Sequence, residues 1–240
     1  MTQRTEKVAE SIAREIVQDI RRNNLGPGDT LPAESAMLER FGVGRGSLRE
    51  ALRILEVNGL VVLKPGPRGG PVVAPHDPAS FGQMMTLHLQ ALGATYRQLL
   101  DARLECEAVL ARKAAEREGD EAAAIVRAAL TAVPVKAGED ETYTVATRGF
   151  HHAVGQASGS PVLALVADAI YAIWSVRVTR VLYPAEHREK VLKDHAAIAR
   201  AIERRDPKRA ERLMREHMER YREFCEERYP ARMDDLVDWS

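Results

Sequence analysis

Arg45, Arg49 and Arg53 recur every fourth residue, a spacing that sets three guanidinium groups on one face of a helix. A planar, permanently charged guanidinium pairs with the O6 and N7 acceptors of guanine and with phosphate oxygens, so the stripe is a candidate reader of duplex DNA. Its bland competitor is an ordinary solvated helix face. A second chemistry is carried by histidines. His195 and His217 flank a turn near Arg205-Asp206, each about 11 residues from it, and a helical hairpin rising about 1.5 Å per residue brings both to one level. Two imidazoles at one level of a core suggest a metal site. His151, beside Phe150, and Asp101, two residues before Arg103, lie on other helical stretches, and His152 is an equal candidate by proximity. His76 and His187 read as surface residues and His88 as structural.

The arginines need a short helix. Leu48, Ala51, Leu52 and Leu55 form an apolar stripe beside them, which predicts a helix over 44–57. Before it, Val8, Ile12, Ile16 and Ile20 predict a helix over 6–24, ended by Gly26-Pro27-Gly28, and Pro32 opens a second one that runs to Phe41. After it, Leu60-Val61-Val62-Leu63 and Pro71-Val72-Val73 read as two strands around the turn-rich Pro65–Gly70. Two helices on a tight turn followed by a β-hairpin form a winged helix-turn-helix pattern, in which the second helix of the turn motif enters the major groove. Ser47 near the start of that helix suits a phosphate contact, and Arg68, with Lys64, sits at the wing tip among glycines.

The histidines need a bundle. Helical periodicity predicts helices over 80–93, 95–118, 120–133, 141–157, 161–182, 186–204 and 207–229, and bundles build ligand and metal sites between facing helices. The fold class is therefore mainly α: a winged helix-turn-helix of three helices and a hairpin over 1–75, a linker at 76–79, an all-α antiparallel bundle of six to seven helices over 80–231, and a tail at 232–240. On helix 161–182, Arg177 follows the inward stripe of Leu163, Val166, Ile170 and Ile173. A buried arginine pairs with an acid, either an anionic effector or an internal Asp or Glu, and Arg103 is a second candidate of this kind.

Bulk properties narrow the field. In 240 residues, 35 Lys and Arg balance 35 Asp and Glu, which argues against a chain that coats nucleic acid by charge alone and leaves room for a local basic stripe. The two cysteines, Cys106 and Cys225, do not look like a disulfide framework. The start of the chain has no apolar signal core and no stretch has the length of a membrane span, so a soluble, cytoplasmic protein without membrane contact is expected.

At this level of detail a family resemblance emerges. Leu31-Pro32-Ala33-Glu34, Phe41 through Leu52, and Leu55-Glu56-Val57-Asn58-Gly59-Leu60 resemble the signature of the GntR superfamily of bacterial regulators over residues 6–74. The resemblance implies that Arg45 and Arg49 read operator bases and that Gly66 lies in the wing. Ser35 stands where the family often has arginine, and Gly46 where it often has threonine or proline. Asp101–Glu107, Phe150-His151, Ala157–Leu163, His195–Ile202 and Ala210–His217 are similar to the FCD-type ligand-binding domain of the FadR branch. That likeness implies a divalent metal held by Asp101, His151, His195 and His217. The family often has an acidic residue shortly before Phe-His, where this chain has Val145-Ala146-Thr147-Arg148, and asparagine where it has Ser160.

Imidazole and carboxylate donors suit Zn, Ni, Co or Mn, and open coordination positions would accept a small organic acid. The expected function is then a DNA-binding transcriptional regulator, repressor or activator, acting as a homodimer on a pseudo-palindromic operator at the nucleoid and controlled by a carboxylate effector. The dimer follows from the resemblance and from operator symmetry. Two rival classes are a metal-dependent enzyme fused to a DNA-binding domain and a regulator whose metal is purely structural. No nucleophile motif supports the former.

Overall fold

The computed structural model describes residues 2–66, 69–75, 77–132, 140–178 and 185–238, with the side chains of 2–6, 140, 141, 176–178, 185 and 186 outside the description. The chain divides into two compact units, Met1–Phe81 and Gly82–Ser240.

In the first unit, α1 (Thr2–Arg22) packs on α3 (Arg45–Val57), with α2 (Glu34–Phe41) beside it. Ile12, Ile16, Met37, Leu48, Leu52 and Leu55 meet in one core, which is why the apolar stripes of all three helices face inward. Gly42 ends α2 in the left-handed region at φ 61°, and its N–H closes on Leu38 O, so the chain turns sharply into α3. Strands β1 (Val61–Lys64) and β2 (Gly70–Val73) pair antiparallel with Val61 opposite Val73 and Lys64 opposite Gly70. Thr30 bridges to Val72, a contact without a sequence signal, and it ties the loop before α2 to the wing.

The second unit is an all-helical bundle: α4 (Pro78–Ala91), whose first four residues fall within the first unit, α5 (Tyr96–Glu116), α6 (Glu121–Ala132), α7 (Asp140–Ala157), α8 (Pro161–Val178), α9 (Ala185–Glu203) and α10 (Pro207–Arg228). Helix α5 is its axis, packed against α7, α8, α9 and α10. It starts on a capping box, in which the Thr95 hydroxyl accepts from Gln98 N and the Gln98 side chain accepts from Thr95 N. Helices α9 and α10 form the expected hairpin: Arg205 turns at φ 51°, Asp206 caps α10 by accepting from Arg209 N, and Pro207 fills the first helical position.

Several boundaries depart from the sequence reading, among them the start of α2 at Glu34, past the Pro32 expected to open it. The 76–79 linker is shortened because α4 already begins at Pro78. Helix α8 is described to Val178, so the end predicted at 182 lies outside the described residues. The stretch expected as a tail carries α11 (Pro230–Asp234), and Val237 N–H donates to Ala94 O. Met233 and Val237 are fully buried against the bundle, and two apolar side chains that size are enough to hold the end down.

Candidate metal centre and nucleic-acid interface

His151 on α7, His195 on α9 and His217 on α10 converge, with one ring nitrogen from each lying within 4.8 Å of the others. All three are buried. His195 Nε2 and His217 Nε2 are 3.3 Å apart. Nitrogens held at about 2.05 Å on a tetrahedral ion are separated by about 3.3 Å. The same spacing suits a single shared proton, so the pair is preorganised for either. Phe150 stacks on the His195 ring at 4.1 Å and 16°, fixing its plane. Burial and the neighbouring His217 and His151 push the His195 pKa well below the ordinary range. Burial takes His217 down to about 4, against the pull of the Asp194 carboxylate. Both therefore present neutral lone pairs at pH 7, the form a metal binds.

Carboxylates stand behind two of the rings. Asp194 Oδ2 lies 3.6 Å from His217 Nδ1 and 2.6 Å from Arg220. Burial alone would raise the Asp194 pKa, but His217 and Arg220 outweigh it and hold it at about 2. Glu107 Oε2 lies 3.0 Å from His151 Nδ1, with both atoms buried. Its other oxygen accepts from Arg103 Nε and Nη2, each at 3.3 Å. Burial raises the Glu107 pKa, and His151 and Arg103 together overcome that and bring it to about 2. Carboxylates at Nδ1 leave the Nε2 lone pairs for a metal, the usual arrangement behind a histidine ligand. Neither carboxylate was singled out from sequence. Glu107 had a signal, because it interrupts the apolar stripe of Leu100, Leu104, Ala108 and Ala111 on α5.

Asp101 does not join the histidines, a correction to the four-ligand set. It is half-exposed and pairs with Arg222 at 3.1 Å. Residues two apart on a helix point about 200° away from each other, so with Arg103 turned inward, Asp101 turns outward. Arg103 is buried and lies 4.8 Å over the Tyr171 ring, but its acid partner is the internal Glu107. The side chain of Arg177 lies outside the described residues. His152 is excluded from the cluster: it is half-exposed and meets Asp168 at 2.8 Å. His88, expected to be structural, is exposed on α4, and His187 is exposed as expected. His76 lies outside the described residues.

In the first unit, Leu48, Ala51, Leu52 and Leu55 turn into the core, and this sets Arg45, Arg49 and Arg53 together in solvent. None of the three makes an ion pair among the described residues, although acidic side chains are plentiful in the unit. Ser47 is half-buried at the helix start. Gly66, at φ 105°, makes the wing turn with open space around it, a conformation other residues resist. Arg68 lies outside the described residues.

Comparison with known proteins matches both units. The family described as bacterial regulatory proteins, gntR family, matches residues 8–69, and the FCD domain family matches residues 98–220. The HTH-type transcriptional repressor NanR of Escherichia coli (strain K12) is 30% identical over 221 residues, covering 88% of this chain and 82% of that protein. NanR of Enterobacter sp. (strain 638) is 30% identical over 219 residues, 88% of this chain and 83% of that one. The solved structure of Streptococcus agalactiae GntR shares the fold with a TM-score of 0.67 at 21% identity, covering 90% of this chain and 99% of that one. Among the described residues, no helix is long and apolar enough to cross a membrane.

Proposed function

We propose, for a chain that belongs to the GntR family of bacterial transcriptional regulators and carries the FCD domain of its FadR-type branch, that a small carboxylate at a divalent metal controls its grip on an operator. That the chain is a DNA-binding regulator rather than an enzyme follows from the two family matches and from relatives named as repressors. The observation that carries the finer reading is the meeting of three buried imidazoles from three different helices.

His151, His195 and His217 would hold the metal, with Zn, Ni, Co and Mn as the candidates for imidazole donors. When bound, it supplies a Lewis-acidic anchor for an anionic oxygen. Asp194 and Glu107 orient His217 and His151 for that task. Because α7, α9 and α10 each contribute one ligand, an effector that favours one spacing of these helices biases the bundle. Only a ligand with different affinity for two arrangements can act in this way. In the DNA-binding unit, Arg45, Arg49 and Arg53 face bases and phosphates, Ser47 faces phosphate, and Gly66 and Arg68 carry the wing to the backbone or minor groove. A homodimer would place two such helices on a pseudo-palindromic operator.

The test is fluorescence anisotropy on duplexes selected from a random pool by the full chain, repeated with bound zinc, with chelator, and with zinc plus a carboxylate panel. Selective binding that a carboxylate weakens only in the zinc-loaded protein is the expected result. Selective binding indifferent to every acid would leave a regulator with a purely structural metal. Arg49→Ala should cost about 10–100-fold on the selected site and relax selectivity at one base pair.

A further inference from the structure

Helix α1 turns Ala9, Ile12, Ala13 and Ile16 into the core of the first unit. At about 100° per residue, Lys7, Arg14, Arg21 and Arg22 then lie within about 50° of the opposite, outward direction. All four are exposed. The acidic positions of the helix, Glu6, Glu10, Glu15 and Asp19, fall about 70° or more from that direction, at its flanks. Between the cations stand only Ser11 and Gln18, so the outward face is an acid-free stripe about 22 Å long.

Arg14 lies 3.6 Å from Glu10 and Arg22 4.0 Å from Asp19, whereas Lys7 and Arg21 form no ion pair among the described residues. The Arg14–Glu10 pair has side chains 72% and 60% exposed, and water screens such a pair so far that it holds its cation weakly. Asp19 is already bonded to Arg40. Arg21 and Arg22 also suit the carbonyl end of the helix, a reason that does not extend to Lys7 and Arg14.

A row of cations with no acid among them complements a phosphate backbone, which carries one charge per about 1.7 Å of duplex. The duplex read by α3 does not reach this row. Helix α3 packs on the inward side of α1, and packed helices sit about 8–10 Å apart. Arg45, Arg49 and Arg53 leave the shared core on the side of α3, and the α1 stripe leaves it on the side of α1.

We infer that the outward face of α1 binds the phosphates of a second duplex segment while α3 reads the first, so that the protein bridges two stretches of DNA. This rests on α3 as the reading helix. Phosphate contacts carry no sequence information, so the second segment is any duplex held nearby. On one DNA molecule the two segments are tethered, and a weak contact gains from that effective concentration.

The experiment saturates the full chain with its selected duplex and adds a second duplex of scrambled sequence. Recruitment is read by energy transfer between dyes on the two duplexes as salt is raised. Wild type should recruit the second duplex at low salt, with a log–log salt slope of about −3 to −4 for four phosphates. The triple variant Lys7→Gln, Arg14→Gln, Arg21→Gln should lose about tenfold or more of that recruitment. Its melting temperature and its affinity for the selected duplex should match wild type. Arg49→Ala should do the reverse, weakening the selected duplex while a saturated complex still recruits the second. No recruitment by wild type, unaltered recruitment in a folded triple variant, or an equal loss of the selected duplex in that variant would each overturn the inference. So would capture of the chain by polyglutamate or phosphatidylglycerol vesicles, lost in the triple variant, without recruitment of duplex. An Arg49→Ala chain with unaltered affinity brings down the α3 reading, and the inference with it.

Discussion

The His217 ring is flanked on both sides, by Asp194 Oδ2 at 3.6 Å from Nδ1 and by His195 Nε2 at 3.3 Å from Nε2, before any ion arrives. A carboxylate in that position typically contributes roughly 10–100-fold in metal affinity. Asp194→Asn should therefore weaken zinc by that factor in competition with a chromogenic chelator, whereas His217→Ala should abolish stoichiometric uptake. Asp101→Ala should leave zinc affinity unchanged, because its partner is Arg222 and not the histidine cluster. A large effect of Asp101→Ala would reinstate the four-ligand set. The difference between Asp101 and Arg103 shows what single residues conceal. Both are polar, both lie on α5, and only the register of the helix against its neighbours decides which one is buried.

At the scale of elements, caps and apolar stripes do the positioning. Removing the capping hydroxyl with Thr95→Ala should cost about 1 kcal/mol, visible as a lowered urea midpoint of the second unit. Leu48→Ala, at the centre of the α3 core stripe, should cost about 2–5 kcal/mol and would unseat the three arginines together. Helix α1 is tied to α2 by Asp19 with Arg40. The Arg40 guanidinium bonded to Asp19 holds its pKa below the ordinary carboxylate value. A depressed carboxylate contributes stability that is present above its unfolded pKa and lost as pH falls through the folded one. The stability gap between wild type and Asp19→Asn should thus be open at pH 6 and close as pH drops below about 4, followed by circular dichroism in urea. A gap that widened in acid would contradict this pairing. The helices themselves were largely legible, since periodicity, Asp206-Pro207 and the glycine turns mark them locally. The α8 sequence is apolar nearly all round and gives no such guidance about which face turns inward.

For the molecule as a whole, the two units keep separate hydrophobic cores, one of α1, α2, α3 and the wing, the other around α5. Trp174 lies in the second unit, so its fluorescence reports on that unit. Zinc at 100 times its dissociation constant should stabilise that unit by about 2.7 kcal/mol, raising the fluorescence transition while leaving the unfolding of the first unit in place. Equal shifts in both transitions would mean that the units unfold as one body. The balanced total charge hides the functional asymmetry: Arg45, Arg49 and Arg53 are left exposed and unpaired among the described residues, while Arg103, Arg97 and Arg215 in the bundle all have acidic partners.

Sequence by itself determined the fold class, the basic exposed face of α3 and the pairing of His195 with His217, because each depends on periodicity or on a hairpin turn, which are local properties. Tertiary structure decided the rest. It chose His151 over its neighbour His152, since a helix sends adjacent residues about 100° apart and only packing says which one faces the bundle. It replaced Asp101 with the supporting carboxylates Glu107 and Asp194, because the rotation of α5 against α7, α9 and α10 is fixed by how their side chains interlock. It also set the Arg188 guanidinium of α9 over the Tyr143 ring of α7, a meeting between residues 45 apart in the chain that no spacing encodes.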